Sequence, residues 1–314
     1  MTADPAFRDD VLRGLAQQPP AIPARWLYDE RGSELFDAIT RLPNYYPTRT
    51  ETALLQSEMP EIAKRIGEGR VVVEFGAGSL TKTPLLLRAV KPAVYVPVDI
   101  SGDYLRASAA ELAAAMPDLP ICPVEANFAN PMNLPAEAAD HPRLGFFPGS
   151  TIGNFVPESA TNLLRHFRAT LGTGSLLLIG MDRVKSVDRM VAAYDDPEGV
   201  TAAFNLNLLH RINRELDGDI PVEAFHHQAR WNDMMSRIEM HLVADRDVEF
   251  GVSGERFRLA AGRSIHTENS HKYGLRGGRM LLLAGSWTPL AEWTDPARDF
   301  ALVLAEAQPE RFAP

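Results

Sequence analysis

The chain has 314 residues, of which 45% are hydrophobic and 23% charged, so it can bury one large core or two modest ones. A formal net charge of −9 argues against a nucleic-acid phosphate backbone as the main partner, since that would need a basic face. The single cysteine, Cys122, allows no intrachain disulfide and fits a reducing cytoplasm; with no secretory signal and no apolar stretch approaching ~20 residues, no membrane partner is expected.

Residues 1–66 read as helices and loops. SELFDAIT (33–40) sets Leu35, Phe36 and Ile39 on one side, and 48–66 continues as a longer helix with Leu54, Leu55, Ile62 and Ile66. Between them lies LPNYYPTRT, a turn-rich loop with two tyrosines. At residue 71 the pattern changes. VVVEF, AVYVPVD (93–99), ICPVEANF (121–128), LGFFPGS (144–150) and LLLIGMD (176–182) are buried-strand candidates, separated by helical segments such as YLRASAAELAAAM and PESATNLLRHFRATL. Apolar strands alternating with helices predict βαβ units and a parallel sheet.

VVVEFGAGSLTKT places an acid at a strand end, then Gly76-Ala77-Gly78, then a helix start. Glycines let a ligand approach the backbone, and a helix N-terminus offers unpaired N–H groups. The dinucleotide fingerprint needs a third glycine where this chain has Thr81, which weakens an oxidoreductase reading. Asp99 ends the second strand, where a carboxylate can accept both ribose hydroxyls; a helix-capping role is the plainer alternative. Asn127 and Phe128 end the third strand, able to bond an adenine edge and to pack on it. FFPGSTIGNF delivers Asn154 to the carboxyl end of the fourth strand, where ligands of open α/β sheets lie, although an ordinary helix cap would look the same.

After residue 183 the alternation breaks. VDRMVAAY and TAAFNLNLLHRINREL read as consecutive helices. WNDMMSRIEMHLVAD, VEFGV, RFRLA and SIHTENSHKY read as strands of an antiparallel sheet. Period two along the last of these puts His266, Glu268 and Ser270 on one face and Ile265, Thr267 and Asn269 on the other. GLRGGRMLLLAGSW resembles a helix, and PLAEWTD and FALVLAEA close the chain as two strands without a crossover helix, as in a methyltransferase sheet with a reversed last strand. On these grounds S-adenosylmethionine is favoured over NAD. The expected organisation is α/β, with a doubly wound domain at 67–182 plus 273–314 and a smaller α+β domain at 1–66 plus 183–272. No metal is expected: there is no cysteine cluster and no H-E-x-x-H, and neither His266 nor His271 has a ligand partner at useful spacing in sequence. Adjacent His226 and His227 would point to opposite faces of a strand.

Taken in order, RWLYDERGSELFDAITRLPNYYPTRTE, VVVEFGAGSLTKT, FFPGSTIGNF, VAAYDDPEGVTAAFN, INREL and IHTENSHKY resemble the L-histidine Nα-methyltransferases of ergothioneine biosynthesis, from about residue 22 to 306. The resemblance implies a class I (Rossmann-like) methyltransferase domain with an inserted substrate domain. It implies three methyl transfers from S-adenosylmethionine to the α-amino nitrogen of L-histidine, giving hercynine and S-adenosylhomocysteine, with the amino acid held between the two domains; apart from the resemblance, a cytoplasmic monomer is expected. Residue by residue, Tyr45, Asn154 and Tyr194 would hold the α-carboxylate and amine, with Tyr45 and Asn154 the catalytic candidates and Gly149 and Thr151 lining that end. Met240, Glu268 and Ser270 would form the imidazole pocket, with Tyr28 near the ring. Gly76, Gly78, Lys82, Asp99, Asn127 and Phe128 would hold the cofactor, although the resemblance implies aspartate where Asn127 stands. A neutral imidazole carries one N–H donor and one bare nitrogen, which a carboxylate and a hydroxyl can address from two sides. Two alternatives stay open: another imidazole or aromatic amino acid as substrate, and a nucleotide-binding sensor without turnover.

Overall fold

In the computed structural model, residues 4–77 and 82–309 are described; Gly78 and Thr81 lie outside them. The elements run α1 (Pro5–Ala16), α2 (Glu30–Arg41), α3 (Tyr46–Ile66), β1 (Val71–Phe75), α4 (Thr83–Val90), β2 (Val94–Asp99), α5 (Gly102–Ala115), β3 (Val124–Glu125), β4 (Arg143–Phe147), α6 (Pro157–Leu171) and β5 (Leu176–Asp182). Then come α7 (Val187–Tyr194), α8 (Val200–Glu215), β6 (Phe225–Asn232), β7 (Arg237–Ala244), β8 (Val248–Val252), β9 (Glu255–Leu259), β10 (Ser264–His271), α9 (Leu275–Ala284), β11 (Trp287–Thr294) and β12 (Phe300–Ala307). The chain divides into two compact units, Met1–Tyr46 with Lys185–His271, and Pro47–Val184 with Lys272–Pro314. No helix among the described residues is long and apolar enough to cross a membrane.

The second unit is built on a seven-stranded sheet of order β11-β12-β5-β4-β1-β2-β3. β1 runs parallel to β2 and β4, and β4 to β5, whereas β12 is antiparallel to β5 and β11. β2, β4 and β5 read as largely apolar runs, and β1 as one interrupted by Glu74, because both faces are covered. Val71, Val73 and Phe75 pack on one side with Phe147, Leu163 and Phe167; Val72, Phe146 and Leu178 pack on the other with Leu54, Leu55 and Ile62. This second group moves a boundary. Residues 47–66 were expected with the smaller domain, but the apolar stripe of α3 is buried against the sheet, so the division falls at 46/47. The third strand is also shorter than expected: of 121–128 only Val124–Glu125 is a strand, with an isolated bridge at Ile121, because Pro123 has no N–H for the ladder.

The first unit packs α1, α2, α7 and α8 with a three-stranded antiparallel sheet of order β10-β7-β6, and β8 and β9 form a separate two-stranded ladder rather than extending it. WNDMMSRIEMHLVAD is not one strand. It contains the end of β6, a turn at 233–236 in which Ser236 takes φ 48°, and β7.

Candidate active site

In the second unit, the segments leaving β1, β2 and β3 carry the residues expected to meet a cofactor. Gly76 takes φ +78°, and its N–H and that of Ala77 both donate to the Val98 carbonyl, at 2.8 and 3.1 Å, tying the β1 loop to the end of β2. A Cβ at Gly76 would stand 3.5 Å from the Phe128 ring, so the glycine keeps the backbone and that ring close. Phe128 is half-buried, edge-on to Phe147 at 5.8 Å. Asp99 Oδ1 accepts from the Ser101 N–H at 2.8 Å; burial pushes its carboxyl up, and hydrogen bonds from Ser101 and Ile100 pull it partly back. Asn127 Oδ1 accepts from the Ala129 N–H at 3.0 Å, so the amide takes part in a local turn. A carboxylate acceptor pair at one strand end and an apolar ring at the next fit the ribose and base of an adenosine.

The loop after β4 is held from beneath by a residue absent from the sequence-based expectation. Glu51, on α3, is fully buried; it takes the Lys82 ammonium at 2.5 Å and the Gly149 N–H at 3.0 and 2.8 Å. A Cβ at Gly180 of β5 would lie 2.2 Å from Glu51 Oε1, so only glycine leaves room for the carboxylate. Gly149 and Ser150 both have positive φ, 81° and 56°, a strained turn for Ser150 that its Oγ offsets by accepting from the Asp182 N–H at 2.9 Å. Thr151 Oγ1 donates to the Pro148 carbonyl at 3.1 Å, and Asn154 ends the following 3-10 turn half-buried. A signal for Glu51 existed: it falls on the same helical stripe as Leu54, Leu55 and Ile62. Glu74, the acid before the glycine loop, is also buried. It accepts from Thr83 and Tyr95 hydroxyls, and desolvation pushes its pKa up to about 7.

In the first unit, one face of the β10-β7-β6 sheet gathers most of the expected substrate residues. Met240 and Glu268 are paired across β7 and β10, and Glu268, Ser270 and Met240 are all buried. The Tyr28 hydroxyl donates to Glu268 Oε1 at 3.3 Å, and burial with the neighbouring carboxylate holds its pKa well above the usual tyrosine value, so it keeps its proton. The Tyr194 hydroxyl and Ser270 Oγ are 2.7 Å apart, and Tyr194 is edge-on to Tyr45 at 5.9 Å. Phe36 and Phe204, not singled out from sequence, wall Tyr28 at 5.5 and 5.4 Å.

The period-two reading of β10 fails at one point. The register shifts between His266 and Glu268: His266 pairs with His241, and Glu268 with the adjacent Met240. Thr267 is the extra residue of a bulge, its hydroxyl shared between Asn205 Oδ1 at 2.7 Å and the Met240 carbonyl at 3.1 Å. His266 therefore lies on the opposite face from Glu268 and Ser270. There it stacks on His241 with centroids 4.9 Å apart, and one donor atom each from Glu239, His241 and His266 lies within 4.8 Å of the others, so His266 does have neighbours of metal-ligand type. His226 and His227 do face opposite ways: His226 meets Asp245, while buried His227 lies 2.7 Å from the Tyr194 carbonyl and 2.9 Å from Asn205 Nδ2.

A parallel sheet with this strand order, an antiparallel β12 and a glycine-bearing β1 loop beside an acid-ended β2 defines a class I S-adenosylmethionine-dependent methyltransferase. A methyltransferase from Streptomyces caelestis has the same fold, with TM-score 0.51 over 90% of this chain and 100% of its own at 13% identity. The chain belongs to the histidine-specific, S-adenosylmethionine-dependent methyltransferase family, whose model matches residues 7–307. It is 40% identical to a histidine N-alpha-methyltransferase of Mycolicibacterium smegmatis over 97% of this chain and 96% of that protein. It is 25% identical to a 4-dimethylallyltryptophan N-methyltransferase of Claviceps purpurea over 94% of this chain and 93% of that protein.

Proposed function

We propose that the enzyme trimethylates the α-amino nitrogen of L-histidine to hercynine, the reaction that its resemblance to the ergothioneine-pathway enzymes implies. The observation that carries the substrate is the paired presentation of Glu268 and Ser270, two residues apart on one face of β10, each touched by a tyrosine hydroxyl. Glu268 accepts the imidazole N–H. For Ser270 to donate to the bare ring nitrogen, Tyr194 must donate to Ser270, which fixes the direction of that hydrogen bond. Met240 supplies an apolar contact. A site built on buried polar pairs rejects side chains that leave them unpaired, often by ~10⁴.

S-adenosylmethionine supplies an electrophilic methyl on a sulfonium. Asp99 would hold its ribose, Phe128 and Asn127 its base, and Gly76, Gly78 and Lys82 the remaining polar end. Tyr45, Asn154 and Tyr194 would orient the amino acid's amine and carboxylate, with Gly149 and Thr151 lining that end and Tyr28 holding Glu268. Positioning of this kind can supply ~7–11 kcal/mol in favourable cases. The reading includes a cytoplasmic monomer acting on a free amino acid, without nucleic-acid or membrane partners, in keeping with the net charge of −9.

The similarity to a tryptophan-derivative methyltransferase favours one rival substrate class, the aromatic amino acids. Incubation with S-adenosylmethionine and histidine, tryptophan or tyrosine in parallel, followed by mass spectrometry, decides. Histidine should gain three methyl groups; methylation of tryptophan or tyrosine with histidine untouched would overturn the assignment.

A further inference from the structure

We propose that the outer face of the β10-β7-β6 sheet binds one divalent ion of the zinc class through Glu239, His241, His266 and Asn269. These residues lie opposite Glu268 and Ser270 across the sheet, and the methylation reading gives them no task.

The placement follows from the strand register. His266 pairs with His241 and Asn269 with Glu239, so all four side chains leave the same face of two hydrogen-bonded strands. A tetrahedral ion with bonds of ~2.0–2.2 Å needs donors roughly 3.3 Å apart. His241 Nε2 and Glu239 Oε2 already stand at 3.2 Å, and the His266 donor lies within 4.8 Å of both, a gap that ring rotation can close. Asn269 Oδ1 is buried and, among the described residues, makes no hydrogen bond of acceptable geometry, although the amide approaches His266. An orphaned acceptor beside two imidazoles and a carboxylate is what a fourth ligand looks like before its ion arrives.

The outer contacts match those of metal-binding side chains, whose second ring nitrogen is usually held by a carbonyl or hydroxyl. His266 Nε2 lies 3.0 Å from the Glu268 carbonyl, leaving Nδ1 for an ion. His241 Nδ1 lies 3.1 Å from Ser264 Oγ, leaving Nε2. Glu239 Oε1 accepts from Asn232 at 2.9 Å and Arg237 at 2.8 Å, leaving Oε2. Burial holds both imidazoles below the usual histidine range, His241 down to about 4. Burial opposes ionisation of Glu239, but bonds from Arg237, Asn232 and His241 outweigh it and bring its pKa to about 2. Binding an ion through His241 Nε2 moves the ring's proton from that nitrogen, where it now faces Glu239 Oε2, to Nδ1 beside Ser264 Oγ.

Two positive charges face the cluster. Arg237 is matched on Glu239, and Arg230 donates to Gln228 Oε1 at 2.7 Å. Their field disfavours a loosely held cation, and two nitrogen donors suit zinc, cobalt or nickel rather than the oxygen-seeking calcium or magnesium.

The test uses the full-length, tag-free protein after dialysis against a chelator. Isothermal titration with Zn²⁺ should show one saturable site, and Mg²⁺ and Ca²⁺ should show none. His241→Gln and His266→Gln should each weaken Zn²⁺ at least tenfold, while His226→Gln leaves it unchanged. Co²⁺ absorption supplies a second readout in the unaltered protein: intense four-coordinate bands support the site. A six-coordinate aqua-like spectrum, no saturable Zn²⁺ binding, or binding that survives the double variant would overturn it.

Discussion

Glu51 and Glu268 set the same functional group to opposite tasks. Glu268 is buried and accepts from the neutral Tyr28 hydroxyl, and a carboxylate has further lone pairs with which to take a ligand's N–H. Its replacement, Glu268→Ala, should weaken histidine about 10- to 100-fold while leaving S-adenosylmethionine affinity within twofold, measured by titration calorimetry of each ligand. Equal loss of both would contradict the division of labour. Glu51 is buried and holds two donors of the protein itself, the Lys82 ammonium and the Gly149 amide. Glu51→Gln leaves the buried ammonium without its counter-charge, so stability should fall by about 3–5 kcal/mol in chemical denaturation. The polar stretch at 262–273 announces Glu268 and Ser270 in the sequence because carboxylates and hydroxyls are out of place beside apolar strand neighbours. Glu51 is hidden in the sequence because a lone acid on a long charged helix reads as solvated until its stripe is counted.

β10 is where an element departs from its pattern. A regular strand would set Glu268 beside His266; the bulge at Thr267 turns Glu268 toward Met240 and sends His266 to the other side. No residue in SIHTENSHKY marks this, since threonine is an ordinary strand residue and the bulge carries no glycine. Its support comes from α8, where Asn205 accepts from Thr267 and reaches His227 and the His241 carbonyl at 3.2 Å. Thr267→Val keeps the shape and removes the hydroxyl, leaving Asn205 Oδ1 without its donor. The variant should lose about 1–3 kcal/mol in urea denaturation and bind histidine more weakly, whereas a change in neither would mean the bulge holds itself. Elsewhere the elements were legible for a simple reason. β1, β2, β4 and β5 are covered on both faces, so their runs are largely apolar, with Glu74 the interruption in β1, and the helices between them keep their period. The apolar pattern at 121–128 suggests a longer strand than the ladder holds, because Pro123 offers no N–H to it.

On the scale of the whole molecule, two ionisable groups tilt stability against pH in opposite senses, one in each unit. His227 lies in the first unit with its pKa below 6.5, mainly through burial, so the unfolded chain takes up the proton first and stability falls as pH drops below about 6.5. Glu74 lies in the second unit with its pKa raised by burial from 4.5 to about 7. Between those values the folded state keeps a proton that the unfolded chain releases, so its contribution is complete below pH 4.5 and is lost as pH rises through about 7. A shift of this size corresponds to about 3 kcal/mol. Glu74→Gln keeps a neutral acceptor for Thr83 and Tyr95 and removes the titration. Relative to the parent protein, the variant should therefore gain stability progressively from about pH 5 to pH 8, by up to about 3 kcal/mol. Because the two units need not unfold together, the measurement should follow hydrogen exchange of the β1 and β2 amides rather than a single global signal. A stability gap that stays constant across this range would mean that Glu74 holds the same charge folded and unfolded, and that its bonds to Thr83 and Tyr95 compensate its burial fully.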